Sequence, residues 1–546
     1  TSQPGYYMRP EQLPADISID KWRSYSTNDP GESDMSIWAS RLGFKGNALQ
    51  NLLDGKTVDW AGLAYRTGLS QDYNASVSGA GEKVNYYLSM GYLKNQGALV
   101  SDDYQAIRSN LKVNASVTKW LEMGANVNFQ NRSDGNIDFD LDYLLSNSPY
   151  ADYTDGTGTL AQFPLSSEYS QRGYNYFFQK QYLELEKGYT VLNSIFNAKV
   201  KLPFNVSYSF NISPRYQFFF DRYFMSAQLP GSDPATRGAN REQAKRFDWS
   251  YNNTINWEYD FKQKHRLNVT LVQEAEERQS WRDRIEARKI LPSDALGFHN
   301  TQNGTKENSS FRSDDTHQTA DALLARLFYS YDNRYMLTAS VRRDGYSAFG
   351  TSNPYATFPS LGLAWSFTNE KFFKWNHILS TGKLRVSYGK NGNRALADPN
   401  IALANLSSGA GKMQGYLNTS GQLALYRYLM ADRLANVGLQ WEKTASLNFG
   451  FDFGFLNDRI SGTLEYYKMK THDMIMNQRL SVFTGFDHIT TNLGQVNNQG
   501  IDLALNTQNI RNNNFQWSTT LGLSYNQNRI KHLYYNYQDV LDSEGN

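Results

Sequence analysis

The sequence predicts an all-β protein, a transmembrane antiparallel β-barrel, on three observations. Polar and apolar residues alternate through segments too long for ordinary globular strands, aromatics crowd the ends of those segments, and short turns alternate with long polar loops. The alternation is plainest in LNFGFDFGF. There Leu447, Phe449, Phe451, Phe453 and Phe455 share one side and Asn448, Gly450, Asp452 and Gly454 the other, because successive side chains alternate across a strand.

Composition narrows the class. The 546 residues include 37 Tyr, 30 Phe, 11 Trp and 40 Gly, a mixture suited to many strands joined by polar turns. As a soluble chain this length suggests about three or four domains, yet no Pro/Ser-rich linker, low-complexity tract or long charge run divides it. Lys plus Arg number 55 against 53 Asp plus Glu, so no basic surface points to nucleic acid. Cysteine is absent, which excludes disulfides and thiolate metal sites within these residues. No run of 18 apolar residues exists, so no transmembrane helix is expected. The first residues, TSQPGYYMRP, lack the basic and apolar regions of a signal peptide. A mean hydropathy of −0.63 remains compatible with a barrel, whose strands interleave lumen-facing polar residues with lipid-facing apolar ones.

Taken in chain order, the strands repeat one pattern. In VNYYLSMGY, Val84, Tyr86, Leu88, Met90 and Tyr92 oppose Asn85, Tyr87, Ser89 and Gly91. In LKVNASV, Leu111, Val113, Ala115 and Val117 oppose Lys112, Asn114 and Ser116. In FDWSYNNTINWEYDF the aromatic side runs from Phe247 to Phe261, broken only by Asn253. Those fifteen residues span on the order of 50 Å, whereas about 9–11 tilted residues cross a bilayer. Short turns are expected at 78–83, 118–122, 201–205, 260–265, 332–335 and 456–459, and long loops at 131–187, 222–244, 285–318, 391–433 and 476–498. That asymmetry, with about sixteen strands, is the pattern of outer-membrane barrels. A soluble sandwich or solenoid needs neither such long strands nor such regular loop alternation. The apolar side is therefore read as facing lipid, and the Asn/Gly/Asp side as facing a wet lumen.

Several of these segments resemble the SusC-like TonB-dependent transporters of Bacteroidetes outer membranes. NASVSGAGEKVNYYLSMGYLKNQG (74–97) is similar to an early family hairpin, and YDNRYMLTASVRRDGYSAFG (331–350) to its Arg-Arg-Asp-Gly segment. FPSLGLAWSFTNEKF (358–372), GKLRVSYGKNGN (382–393), residues 439–475 and GQVNNQGIDLALN (494–506) follow in family order, so the resemblance covers roughly residues 60–530. Ala80, Tyr346 and Ala348 depart locally from the family pattern.

The resemblance implies a 22-stranded barrel filled by a plug, preceded by a signal sequence, usually a small sandwich domain, and a TonB box. Motifs of those parts do not occur in this sequence. Residues 1–66 are accordingly expected to be the first extracellular loop and lead-in, 67–530 roughly strands two to seventeen, and 531–546 the start of another extracellular loop. The expectation is of part of a barrel wall with two edges that need partners, because open edges do not persist in lipid.

Candidate site residues are few. Unpaired cations on the lipid side cost about 2–4 kcal/mol at mid-depth, so Arg326, Arg342 and Arg385 are expected to point inward, toward a plug or ligand or into ordinary wall ion pairs. Tyr174, Tyr176 and Phe177 in the aromatic stretch RGYNYFFQKQY (172–182) could stack on sugar rings, or pack the loop and form an interfacial girdle. His265, His299, His317, His377, His472, His488 and His532 show no metal-ligand spacing. Asp314, Asp315 and His317 in SDDTH fall in an expected solvated loop. SGAGEK is too short for a phosphate loop and reads as a hairpin turn. No GxSxG elbow is present. No catalysis and no cofactor are expected.

By resemblance, the function expected is energy-coupled import of an oligomeric nutrient, a glycan first and an oligopeptide as the alternative. Its partners would be a SusD-like surface lipoprotein, TonB and outer-membrane lipid, with no nucleic acid. A passive porin or adhesin, and an outer-membrane enzyme, are the competing classes.

Overall fold

Sixteen strands pair in one antiparallel sheet, each with its neighbour in the chain apart from two excursions. The computed structural model describes residues 44–135, 144, 147–165, 175–229, 237–290, 294–396, 398–407 and 413–533. The wall begins with β1 (Leu69–Ala80), β2 (Val84–Gln96), β3 (Asp103–Ser116), β4 (Leu121–Asp134), β5 (Leu183–Leu202) and β6 (Val206–Met225). It continues with β7 (Gly238–Phe261), β8 (His265–Arg288), β9 (Ser310–Tyr331), β10 (Tyr335–Tyr346), β11 (Tyr355–Trp365) and β12 (Leu379–Asn393). The chain then leaves the wall for two hairpin pairs, β13 (Asn405–Ser407) with β16 (Met430–Arg433), and β14 (Met413–Leu417) with β15 (Leu423–Arg427). It returns as β17 (Glu442–Phe455) and β18 (Ile460–His472), projects the hairpin β19 (Ile475–Arg479) and β20 (His488–Asn492), and ends in β21 (Gln495–Arg511) and β22 (Gln516–His532).

Turn chemistry sets the alternation. The connections after β5, β7 and β9 carry pairs of left-handed residues: Phe204 and Asn205 (φ 63° and 59°), Lys262 and Gln263 (51° and 56°), Asp332 and Asn333 (49° and 52°). Two successive positive φ values give the hairpin twist that matches the right-handed twist of the strands. On the same side, 366–378 is the exception, a longer connection containing the 3₁₀ turn Phe367–Asn369.

Strands on the opposite side run further than the sequence suggests. β7 and β8 have 24 residues each, roughly 80 Å, so they extend well past an apolar band of about 25 Å. The expected loops 222–244 and 285–318 shrink to 226–237 and 289–309. SDDTH lies in β9 rather than in a loop, and His317 Nε2 sits 2.9 Å from Glu277 Oε1. The alternation was there to be read; the charges along these extensions masked it.

Buried packing is concentrated in the long connections. Helix α1 (Gly46–Asp54) and helix α2 (Trp60–Ala64) pack against Leu144, Tyr150, Ala151, Tyr153 and Leu165 and against helix α3 (Tyr176–Lys180). Trp60 Nε1 donates to the Ser148 carbonyl at 2.9 Å, and Asn51 Nδ2 to the Tyr150 carbonyl at 2.9 Å. Arg66 N–H donates to the Ala98 carbonyl, which places this unit on the side opposite the tight turns. A second cluster, with Tyr346, Phe349, Phe358 and Trp441, roots the excursion between β12 and β17. No described helix is long and apolar enough to cross a membrane.

Candidate functional site

The register fixes which side chains share a face. Across β12, β17 and β18, Arg385 lies opposite Gly450, and Gly450 opposite Glu465; one step along, Lys383 lies opposite Asp452, and Asp452 opposite Thr463. These six positions share one face. The other carries Val386, Phe449 and Tyr466 in one row and Leu384, Phe451 and Leu464 in the next.

On the polar face Arg385 binds two carboxylates. Its Nε and Nη2 donate to Asp452 at 2.9 and 2.8 Å, and Nη2 also to Glu465 at 2.7 Å. Lys383 Nζ lies 3.7 Å from Asp452, and the Thr463 hydroxyl donates to it at 3.2 Å. A Cβ at position 450 would approach the Arg385 guanidinium carbon to 2.9 Å, so glycine there lets the guanidinium lie flat on the wall.

Toward the long-loop side a second charged group forms on the same face. Arg342 donates from Nη2 to Glu274 at 2.6 Å and from Nε to Asp344 at 2.8 Å. Arg394, at the start of the excursion, grips Glu276 with its Nη1 at 2.9 Å and its Nη2 at 3.0 Å. Together with Asn252 these side chains line a polar cavity of about 210 Å³. Parallel guanidinium–carboxylate contacts of this kind add geometric specificity, here holding the root of a long loop against the wall.

Arg326 stands between the two groups, opposite Thr270 and Ser340, and pairs with no carboxylate among the described residues. The three arginines thus share a face without converging on one point. On β2–β4 the same face carries amides instead. Asn114 Nδ2 donates to Asn85 at 2.9 Å, Asn110 Nδ2 to Asn126 at 3.1 Å, and Asn110 also bonds Asn128.

The aromatic stretch is divided. Tyr174 lies outside the described residues. Tyr176 is buried with Trp60, Ala64, Leu144 and Ala151, and half-buried Phe177 meets Tyr153 edge-on at 5.8 Å. Beside them Lys180 bonds the Ser101 hydroxyl, and burial pushes its ammonium pKa down. In the adjoining turn Asp155 accepts from Thr157 and Thr159, which hold its carboxyl down at about 2. Among the described residues no cluster of three His, Asp or Glu could hold a metal.

Sequence reading missed Glu274, Glu276, Arg394, Lys383 and Glu465. The signal was present in EAEERQSWRDR, where Glu274, Glu276, Arg278, Arg282 and Arg284 fall on one parity. Arg394 carried none, because its partner is 118 residues away.

An antiparallel wall with one apolar and one water-loving face, tight turns on one side and long loops on the other, defines an outer-membrane β-barrel protein. The chain belongs to the TonB-dependent receptor-like β-barrel family, whose model matches residues 128–546. It is 28% identical over 519 residues to TonB-dependent receptor P26 of Formosa agariphila, covering 90% of this chain and 49% of the relative. To TonB-dependent receptor SusC of Bacteroides thetaiotaomicron it is 25% identical, covering 95% and 51%. The chain therefore spans about half the length of the curated relatives it matches. The solved structure of the RagAB peptide transporter superposes with a TM-score of 0.78 at 21% identity, over 88% of this chain and 53% of that one, a likeness of fold. The protein resides in the outer membrane of a Gram-negative bacterium of the Bacteroidetes type.

Proposed function

We propose that this chain is wall and loop of a TonB-dependent importer that carries an oligomeric nutrient, a glycan, across the outer membrane with a SusD-like surface lipoprotein. The observation that supports this most is the polar lumen face of a chain belonging to the TonB-dependent receptor family. Its amide rows on β2–β4 both donate and accept, which suits a hydroxyl-rich cargo. Arg326, free of carboxylates among the described residues, is the wall cation best placed to meet cargo or plug. Arg342 and Arg385 present guanidiniums already oriented by Glu274 and Asp452. From the loop side, Phe177 offers ring surface, with Tyr176 fixing its position and Tyr174 completing the stretch. The long connections 135–182, 226–237, 289–309 and 394–441 form the seat of the lipoprotein, and residues 1–66 the extracellular lead-in.

Oligopeptide cargo is the second reading, favoured by the paired charges around Arg342 and Glu274, which match the termini of a peptide. Uptake of labelled oligosaccharides and oligopeptides by cells carrying the full-length protein separates the two. Uptake should vanish when TonB is deleted, and a surface lipoprotein should co-purify in comparable amount. Unimpaired uptake without TonB, with the barrel recovered alone, would point to a passive pore.

A further inference from the structure

The outer, apolar face of β10–β12, β17 and β18 is not smooth. A depression of about 740 Å³ opens on it, lined by Leu337, Leu363, Leu384, Val386, Phe449 and Phe451. Register places Leu337, Leu363, Val386 and Phe449 in one row across four strands, with Trp365, Leu384 and Phe451 in the next row toward the tight turns. The short Val386 side chain sits among larger neighbours, so the row dips at its centre.

One end of the depression is built. Trp365 meets Phe367 at 5.8 Å, Phe367 meets Phe373 at 5.6 Å, and Phe367 stacks on Phe451 at 6.4 Å and 15°. Phe367 reaches the wall because position 382 is glycine, where a Cβ would lie 2.4 Å from its ring. Trp365 Nε1 donates to Glu370 at 3.1 Å, and Arg334 Nη1 donates to the same carboxylate at 3.2 Å. The polar atoms at this rim are thereby engaged. Lys371 and Lys374, on the same connection, are exposed and have no carboxylate partner among the described residues.

Depth decides what fills the space. Phe449 stands six residues above the strand end at Phe455, roughly 14 Å along the membrane normal at a tilt near 45°. The depression thus runs from the interfacial aromatics into the hydrocarbon. Water finds few partners on a lining that is almost wholly apolar, and a void forfeits dispersion contacts outright. Its volume falls within the roughly 300–1,000 Å³ of sites that hold a small ligand. The tight turns mark the periplasmic side of an outer-membrane barrel. We infer that this groove holds one phospholipid of the periplasmic leaflet, an acyl chain over Val386 and an anionic headgroup phosphate at Lys371 and Lys374. The site depends on the membrane face of the wall and not on which cargo crosses the lumen.

The test is lipid retention by the full-length protein, purified in mild detergent and read by native mass spectrometry with lipid extraction. The parent should carry one phospholipid per chain, enriched in anionic headgroups. Val386→Trp, which blocks the centre of the groove where the acyl chain would lie, should lose it at unchanged oligomeric state. The double change Lys371→Glu and Lys374→Glu, remote from wall packing, should weaken retention of the anionic lipid roughly thirtyfold, the equivalent of about 1 kcal/mol per lysine. A parent with no retained lipid, or equal retention in all three proteins, would overturn the inference. So would a Val386→Trp protein that changes oligomeric state with its lipid count intact, since a second copy would then be the occupant.

Discussion

Phe451 and Asp452 are adjacent in β17 and belong to different media. Between Phe449 and the tight turn, the Phe451 side of β12, β17 and β18 offers rings and aliphatic chains, with Phe451, Phe453 and Phe455 tilted against one another at 5.6 and 5.7 Å; Lys390, Lys468 and Lys470 share this side only toward the long loops. On the Asp452 side two cations and two carboxylates are bound to one another. The contrast teaches that the two faces tolerate error differently. At the depth of Phe451 a charge on the outer face has no solvent and no partner. On the inner face a lost charge leaves its partner among water and neighbouring polar groups, which limits the penalty.

The largest expected effect is therefore on the outer face. Phe451→Arg should impair assembly at a cost of about 2–4 kcal/mol if the side chain lies near mid-depth, measured as the folded fraction across a urea titration in lipid vesicles. Next comes Arg385→Ala, which leaves Asp452 and Glu465 facing each other without their shared donor; about 1 kcal/mol should be lost in the same titration. Asp452→Asn should cost less than that, because Glu465 still accepts from Arg385. Smallest is Asn126→Ala on the amide wall, within about 0.5 kcal/mol, with assembly yield unchanged. If Asp452→Asn proved costlier than Phe451→Arg, the two faces would have to be exchanged.

Much of the wall was legible because a period of two needs no knowledge of tertiary structure. The alternation in 447–455 and 247–261 assigns faces, and Asn or Asp at 205, 332, 333 and 457 marks turns that accept positive φ. Residues 222–225 and 310–318 were less legible. Long strands beyond the membrane carry charge on both faces, and charge density resembles that of a loop. The site was legible only in part. The cost of a cation in lipid assigned Arg342 and Arg385 to the inner side, but their partners Glu274 and Glu465 lie 68 and 80 residues away, and only strand pairing brings them together. Tyr176 and Phe177 stood out as aromatics, whereas their packing against Trp60 and Tyr153 depends on a contact between two distant loops.

Absence of cysteine from all 546 residues makes the face assignment open to direct measurement. Single changes Phe449→Cys, Phe451→Cys, Asp452→Cys and Arg342→Cys, in a full-length parent free of other cysteines, can be exposed to a small charged maleimide on intact outer membranes. Positions 342 and 452 should label, whereas 449 and 451 should stay dark to the charged reagent and react only with a membrane-soluble one. Labelling of 449 and 451 by the charged reagent, with 342 and 452 protected, would contradict the inward orientation on which the proposed transport path rests.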